Sequence, residues 1–141
     1  MTDYGKLAAA LRPLGLQWQN WQASQDRPGM PVLDREAIAE SVIHRFETAY
    51  DVSWKTLKRH LTEVYGVVEM PNSPKPVFRI ADDNGLLEGR IAEWLRYADA
   101  RTAVAHDYSE SKAGNTLELA GAFHGDAVRL LERMTIEASQ T

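Results

Sequence analysis

The feature that most constrains the fold is a stretch from Asp34 to Tyr65 that contains neither proline nor glycine. Large apolar side chains recur along it every three or four residues, at Ile38, Val42, Phe46, Tyr50, Trp54, Leu57 and Leu61. This interval places them on one face of an α-helix, and Asp34 occupies a favourable N-cap position. A helix of this length extends about 45 Å. The pattern therefore predicts a long helix over residues 34–65 that forms the spine of a helical bundle.

The N-terminal segment, residues 1–30, shows the same periodicity. Its apolar positions are spaced alternately by four and three residues, at Leu7, Leu11, Leu14, Trp18 and Trp21. Pro13 lies inside this pattern, and an interior proline costs about 3 kcal/mol because it removes a backbone hydrogen bond. We therefore expect Pro13 to kink this helix or to begin a second one. Residues 24–33 contain two prolines and a glycine, which predicts a connection.

Three further helices are predicted downstream, over residues 74–84, 88–103 and 110–137. Ser73 followed by proline is typical of a helix start, and Asn84 followed by glycine is typical of a helix end. Ser109 is the expected N-cap of the last helix. The inward-facing positions of the last two helices are Ile91, Trp94, Leu95, Ala98, Leu117, Ala120, Phe123, Ala127, Leu130 and Met134.

Together these segments predict an all-α, up-and-down bundle of four to five helices in a single domain over residues 1–141. This prediction of an up-and-down bundle rests on the short connections, which make consecutive helices antiparallel neighbours. Apolar residues make up 44% of the chain and charged residues 26%, which is typical of a globular domain. Neither a strand pair nor an internal repeat is predicted.

Composition and charge exclude several classes of protein and of binding site. The chain has no cysteine, which excludes disulfides and thiolate metal sites and fits a reducing compartment. The apolar runs predict neither a signal peptide nor a membrane span, so we expect a cytoplasmic protein. The net charge of −4 argues against an extended surface that tracks nucleic-acid phosphates. Contact with RNA would have to be local, or depend on a partner or a dimer.

One segment combines three chemically active side chains within eight residues, namely Arg101, His106 and Tyr108. They lie at the predicted end of a helix. On a continuous α-helix five residues turn the chain by about 500°, which leaves Arg101 and His106 about 140° apart. Either the helix ends between them, or each side chain points toward a different subunit. Both arrangements suit a site at a cleft or at a dimer interface.

Such a set of side chains has the chemistry to cleave RNA without a metal. A histidine can take the proton from a 2′-hydroxyl or return one to the leaving oxygen. An arginine can stabilise the negative charge of the transition state through paired hydrogen bonds. The alternative is structural, because arginine and histidine near a helix C-terminus can also satisfy its last carbonyls and its dipole. Spacing alone does not decide between the two.

A second group of charged side chains lies on the long predicted helix. Lys55, Lys58 and Arg59 form a basic turn there. We expect it to be either a solvated face or a contact with phosphate or with a protein partner.

The other residues with possible chemistry fit no site. His44, His60 and His124 show no metal-ligand spacing with each other or with carboxylates. We therefore expect neither a metal nor a cofactor. The four tryptophans fall on apolar stripes, and we expect them in the core.

Three motifs, in order along the chain, resemble one known family. The stretch from Arg45 to Leu61 reads RFETAYDVSWKTLKRHL and resembles the signature of nucleotidyltransferase substrate-binding proteins. The stretch from Ser73 to Leu87, SPKPVFRIADDNGLL, is similar to that family's short helix and glycine–leucine turn. The stretch from Glu93 to Glu110, EWLRYADARTAVAHDYSE, resembles its tryptophan-bearing helix that ends in Arg-x4-His-x-Tyr. The resemblance extends from about Asp34 to the C-terminus.

The family lies within the HEPN superfamily of α-helical bundles, which commonly dimerise and are encoded beside a minimal nucleotidyltransferase, or MNT. The resemblance implies a toxin–antitoxin pair whose HEPN member is a metal-independent endoribonuclease acting on RNA. Arg101 and His106 would form the catalytic pair across a homodimer, supported by Thr102 and Asp107. The MNT partner would neutralise the toxin by transferring AMP to Tyr108, because a bulky anionic adduct repels phosphate from the cleft.

The chain departs from the family pattern at Thr102, where asparagine usually follows the arginine. Threonine keeps a hydroxyl but lacks the two amide donors. This change bears on nuclease activity and leaves the implied fold and partnership intact. The family name also implies an alternative function, a non-catalytic substrate-binding subunit of a two-component nucleotidyltransferase.

Overall fold

Five α-helices account for most of the chain. The structure is a computed structural model that describes residues 1–106 and 110–140, with side chains for residues 1–104 and 114–140. The helices are α1 (Tyr4–Ser24), α2 (Val32–Glu63), α3 (Pro74–Asp83), α4 (Ile91–His106) and α5 (Glu110–Ser139). No helix in the described part of the chain is both long enough and apolar enough to cross a membrane.

Helix α1 is one continuous helix that contains Pro13, so a second helix does not begin there. Leu11 and Leu14, on either side of the proline, are buried. The free energy gained by burying them offsets the cost of the backbone hydrogen bond that proline cannot donate. The start of the helix is capped by Asp3, whose carboxylate accepts a hydrogen bond from the backbone N–H of Gly5 at 3.0 Å.

Helix α2 is the predicted spine, but it begins at Val32, two residues earlier than expected. Pro31 occupies the N-cap position without a side-chain hydrogen bond. Asp34 therefore lies in the first turn, where its negative charge favours the positive end of the helix dipole. The helix ends before Gly66, whose φ of 68° is readily available only to glycine.

Four of the later helix boundaries differ from the predicted ones. Helix α3 ends one residue earlier, at Asp83, and α5 ends two residues later, at Ser139. Helix α4 begins at Ile91 instead of residue 88, because Glu88 and Gly89 adopt left-handed φ angles of 53° and 77°. It then continues to His106, so the expectation that the helix ends between Arg101 and His106 is wrong. The predicted cap of α5, Ser109, lies outside the described residues.

The helices form an up-and-down bundle, as predicted. Tyr4 of α1 contacts His60 near the end of α2, so these two helices are antiparallel. Helix α5 runs parallel to α2 and antiparallel to α1 and α4, while the short α3 packs on α2 and α4. The centre is a cluster of aromatic rings with centroids 5.2–6.3 Å apart, formed by Phe46, Tyr50, Phe78, Trp94, Tyr97 and Phe123.

Helices α1 and α5 approach each other closely through two glycines. The Trp18 ring lies on Gly121, and its Nε1–H donates to the carbonyl of Leu117 at 3.0 Å. One turn away, the ring of His124 lies on Gly15 in the same manner. A helix contact this close requires small residues under the rings, because any Cβ there would meet ring atoms.

Of the four tryptophans, Trp94 is buried, and the other three pack against the core while partly exposed.

Candidate functional site

Arg101, on α4, is held by two carboxylates from α2. Its Nε and Nη2 atoms donate to the two carboxylate oxygens of Asp51 at 3.3 and 3.2 Å. Its Nη1 atom lies 2.9 Å from Oε2 of Glu47. The Arg101 side chain is 26% exposed, so the guanidinium lies at the surface between the two helices.

This arrangement fixes the arginine without using all of its donors. A guanidinium has five N–H donors, and the two carboxylates occupy about three of them. Among the described side chains none other accepts from the guanidinium, which leaves its remaining donors for an anion. The hydrogen bonds to Asp51, followed by its charge, raise the pKa of Arg101 above its ordinary value. Burial raises the pKa of the neighbouring Tyr50, so this phenol stays neutral beside the ion pair.

Thr102 is exposed, and its hydroxyl has a partner in its own helix. It donates to the carbonyl of Ala98, one turn earlier, at 3.1 Å. A threonine hydroxyl inside a helix commonly donates to the carbonyl four residues earlier. Thr102 therefore does not reach toward the carboxylates that hold Arg101.

The other predicted residues of the motif fall at or beyond the end of α4. His106 is the last residue of that helix. Its side chain lies outside the described part of the structure. Asp107 and Tyr108 lie entirely outside the described residues. Because α4 is continuous, Arg101 and His106 occupy positions about 140° apart around one helix. Of the two arrangements that the sequence allows, the continuous helix removes the one in which α4 ends between these two residues.

The structure separates the three cations of the predicted basic turn. Lys58 donates to Oδ1 of Asn72 in the loop before α3, at 2.9 Å. Lys55 and Arg59 are exposed, and both line a surface groove together with Lys6 of α1. The Nζ atom of Lys55 also lies 5.9 Å from the ring centre of Trp54.

Sequence reasoning did not single out Glu47, Asp51 or Lys6. The two carboxylates are four residues apart on α2, an interval that places them on one helix face. That spacing was the available signal, but many acidic pairs on helix surfaces share it. Only the position of Arg101, some 50 residues later, distinguishes this pair from an ordinary solvated one.

Two further polar clusters stabilise the bundle. His60 is fully buried, with Nδ1 2.7 Å from the Tyr4 hydroxyl and Nε2 2.9 Å from Oε1 of Glu137. Tyr65 donates to the other oxygen of Glu137 at 2.6 Å. This cluster joins the ends of α1, α2 and α5. Burial acts to raise the pKa of Glu137, but the hydrogen bonds from Tyr65 and His60 outweigh it and lower the pKa.

The second cluster surrounds Asp126 of α5, which is 4% exposed. Arg90 donates to both of its oxygens, at 2.7 and 3.1 Å, and Tyr97 and Arg129 also donate to it. Burial alone would raise the pKa of Asp126, yet these donors lower it. Both clusters use complete sets of internal partners, which is typical of structural groups. Among the residues that the structure describes, no three histidine or carboxylate side chains gather in a way that could hold a metal ion.

Comparison with known proteins agrees with the resemblance of the motifs. A protein named "Probable ribonuclease HepT" from Haemophilus influenzae is 28% identical over 104 residues. The match covers 67% of this chain and 62% of that protein, so this chain spans less than two thirds of the relative's length. A crystal structure of a protein from Thermus thermophilus has a TM-score of 0.65 at 23% identity, covering 86% of this chain and 98% of that one. The latter similarity bears on the fold alone.

A family model described as "Nucleotidyltransferase substrate binding protein like" matches residues 3–136. This match covers nearly the whole chain and includes all three motifs, Arg101 and its two carboxylate partners. The chain belongs to this family, within the HEPN superfamily of helical bundles.

Proposed function

We propose that this protein is a metal-independent endoribonuclease, the toxin of a HEPN/MNT toxin–antitoxin pair, built as one HEPN-like domain over residues 1–141. The observation that carries the proposal is the state of Arg101. Two carboxylates hold its guanidinium at the surface, and within the described residues its remaining donors have no further acceptor and can bind an anion. The name of the Haemophilus influenzae relative supports the same kind of activity.

In this mechanism Arg101 binds the scissile phosphate and His106 transfers the proton. The free donors of the guanidinium stabilise the charge that develops on the phosphate oxygens. The imidazole takes the proton of the 2′-hydroxyl or delivers one to the leaving 5′-oxygen. Glu47 and Asp51 fix the orientation of the arginine, so that little reorganisation is needed when RNA binds. Thr102 and Asp107 support the pair from neighbouring positions, and the reaction requires neither a metal nor a cofactor.

The active form is a homodimer in which Arg101 and His106 of the two subunits share one cleft. The support for this is the unbroken helix α4, on which the two positions diverge by about 140°. A two-fold interface near residues 94–108 would bring the same segment of both subunits together. The MNT partner then neutralises the toxin by transferring AMP to Tyr108.

A second candidate function is a non-catalytic subunit that presents a substrate to the nucleotidyltransferase. The observation that favours it is Thr102, which replaces the usual asparagine and donates to its own helix. In that case Arg101 would bind a phosphate of the presented substrate without cleaving it.

Cleavage of RNA in EDTA distinguishes the two functions. We expect the purified protein to cleave RNA with EDTA present, and Arg101→Ala and His106→Ala to abolish cleavage while circular dichroism shows an unchanged helical fold. Arg12→Ala is the matched control, because Arg12 is an exposed arginine on α1. Expression without the partner should arrest growth. An intact RNA after incubation with a folded dimer would support the non-catalytic subunit instead.

A further inference from the structure

A groove on the surface of the bundle runs between the start of α1 and the second half of α2. It has a volume of about 340 Å³ and is lined by Thr2, Asp3, Lys6, Val52, Lys55, Thr56 and Arg59. Three cations therefore face one groove, two from α2 and one from α1. Among the residues that the structure describes, none of the three has a carboxylate within ion-pair distance.

The carboxylates nearest to this groove are already bonded elsewhere. Asp3 accepts the backbone N–H of Gly5 as the cap of α1. Glu63, at the end of α2, accepts the hydroxyl of Thr2 at 2.6 Å, and this hydrogen bond lowers the pKa of Glu63. These hydrogen bonds leave both carboxylates charged, but Glu63 also pairs with the N-terminal amine at 3.4 Å. The lining itself holds three cations and one carboxylate, Asp3, so it has a net positive charge on a chain whose net charge is −4. Such a local excess attracts an anionic ligand.

The groove follows directly from the site at Arg101 along the same helix. Asp51 holds Arg101, and Lys55 is one helical turn farther along α2, a rise of about 6 Å. Arg59 is a further turn away, about 12 Å from the level of Asp51. Asp51, Lys55 and Arg59 therefore follow one i, i+4 ridge of α2, which turns about 40° around the helix at each step.

We propose that the groove of Lys6, Lys55 and Arg59 binds the phosphate backbone of the RNA strand next to the phosphate held by Arg101. This inference rests on the proposed ribonuclease function. The three cations hold the flanking strand in position and contribute affinity that does not depend on base sequence. They act on binding, and the chemical step remains with Arg101 and His106.

The lining favours RNA over a protein partner. Protein interfaces are centred on aromatic or large apolar side chains from which charges are depleted. Among the described residues that line this groove, Val52 is the single apolar one, and charged or hydroxyl side chains make up the rest. Exposed lysine and arginine side chains along one groove are instead typical of contacts with a nucleic-acid backbone.

Fluorescence anisotropy with a labelled single-stranded RNA tests this inference. The measurement uses the full chain in a His106→Ala background, so that the RNA stays intact, and compares Lys55→Gln/Arg59→Gln with its parent at several salt concentrations. Removing two phosphate contacts should weaken binding roughly tenfold near 0.1 M salt and reduce the slope of log affinity against log salt by about 1.4.

The control is Arg12→Gln/Arg27→Gln in the same background, which removes the same charge from exposed arginines elsewhere. Arg12 lies six residues from Lys6 and about 120° around α1. This variant should bind RNA almost as tightly as the parent.

The outcomes separate this inference from the proposed function. If the wild type cleaves RNA but Lys55→Gln/Arg59→Gln retains the parental affinity and salt slope, the groove does not bind RNA and the ribonuclease assignment stands. An equal loss in both double variants would also overturn the inference, because it would reflect net charge alone. If RNA is neither bound nor cleaved by the wild type, both proposals fail. Unchanged RNA binding combined with weaker binding of the nucleotidyltransferase would make the groove a protein contact and would likewise overturn the inference.

Discussion

Arg101 and Asp51 form a two-point ion pair, with Nε–Oδ1 and Nη2–Oδ2 distances of 3.3 and 3.2 Å. The pair joins α4 to the middle of α2, and Glu47 completes it from one turn earlier on α2. A single arginine is thus fixed by two carboxylates that are 26% and 40% exposed. An ion pair this exposed adds about 1 kcal/mol or less to stability. Its main consequence is therefore the orientation of the guanidinium.

Asp51→Asn tests whether this orientation matters for catalysis. The amide keeps the shape of the side chain but provides one acceptor oxygen instead of two, so the guanidinium gains freedom. We expect kcat for RNA cleavage to fall about tenfold with little change in KM, because a misplaced group costs transition-state stabilisation more than binding. Urea unfolding should show a loss of stability of about 1 kcal/mol or less.

Asp83→Asn is the control for this prediction, since Asp83 is an exposed acid at the end of α3. It should leave both kinetic constants unchanged. The opposite result for Asp51→Asn, a lower KM with an unchanged kcat, would mean that the carboxylate competes with phosphate for the arginine.

Tyr108→Phe should separate neutralisation from cleavage. A phenol with an ordinary pKa near 10 is a poor acid or base at neutral pH, so we expect most ribonuclease activity to remain. The hydroxyl is the proposed acceptor of AMP, so the variant should remain toxic when the MNT partner is co-expressed. Mass spectrometry of the wild-type chain co-expressed with that partner should show an added AMP mass on the peptide containing Tyr108. An unmodified peptide from a neutralised wild-type complex would refute AMP transfer at this residue.

Gly121→Ala should destabilise the contact between α1 and α5. A Cβ atom at this position would lie 2.3 Å from the Trp18 ring, and the ring is fixed by its hydrogen bond to the Leu117 carbonyl. We expect a loss of about 1–3 kcal/mol in the free energy of unfolding, measured in urea, because overpacking forces the helices apart.

The matched control for Gly121→Ala is Gly114→Ala, in the same helix. Apart from its chain neighbours and the backbone of its own helix, no described atom lies within 4 Å of the position that its Cβ would take. Alanine is the better helix former, so this variant should gain up to about 1 kcal/mol. Equal effects of the two substitutions would show that the close approach of Trp18 is not what limits position 121.

Asp126→Asn should reduce stability at neutral pH but much less in acid. Despite burial, hydrogen bonds from Arg90, Tyr97 and Arg129 lower the pKa of Asp126 in the folded protein. A group with a lowered folded pKa contributes stability above its unfolded pKa, near 3.9, and loses it as the pH falls through the folded value. We expect the variant to lose about 2 kcal/mol at pH 7, the scale of hydrogen bonds to a charged group.

The measurement is urea unfolding of the wild type and Asp126→Asn between pH 7 and pH 3. The difference in unfolding free energy between them should stay constant down to about pH 5 and then decrease, because the carboxyl group of Asp126 takes up a proton near pH 3.9 in the unfolded chain before it does so in the folded protein. A difference that stays constant over this range would mean that the charge of Asp126 does not contribute to stability.

Local patterns in the sequence were enough to predict the class of the fold and the order of the helices. Apolar spacing of three and four residues predicted the long helix α2, and Asn84 followed by glycine predicted the end of α3. These features follow from the sequence because a helix is set by hydrogen bonds and side-chain contacts between residues three or four apart. The three ordered motifs also indicated the family, which the match over residues 3–136 confirmed. The roles of His106 and Tyr108 still rest on the motif.

The contacts between side chains of different helices could not be predicted without the packed bundle. The pairing of Arg101 with Glu47 and Asp51 joins residues about 50 positions apart, and the groove brings Lys6 beside Lys55 and Arg59. Periodicity fixes which face of each helix is apolar, but it does not fix how two helices are rotated and shifted against each other. Those two quantities depend on the packing of side chains across the whole core. The same packing placed Trp18 on Gly121, a contact that no local pattern predicted.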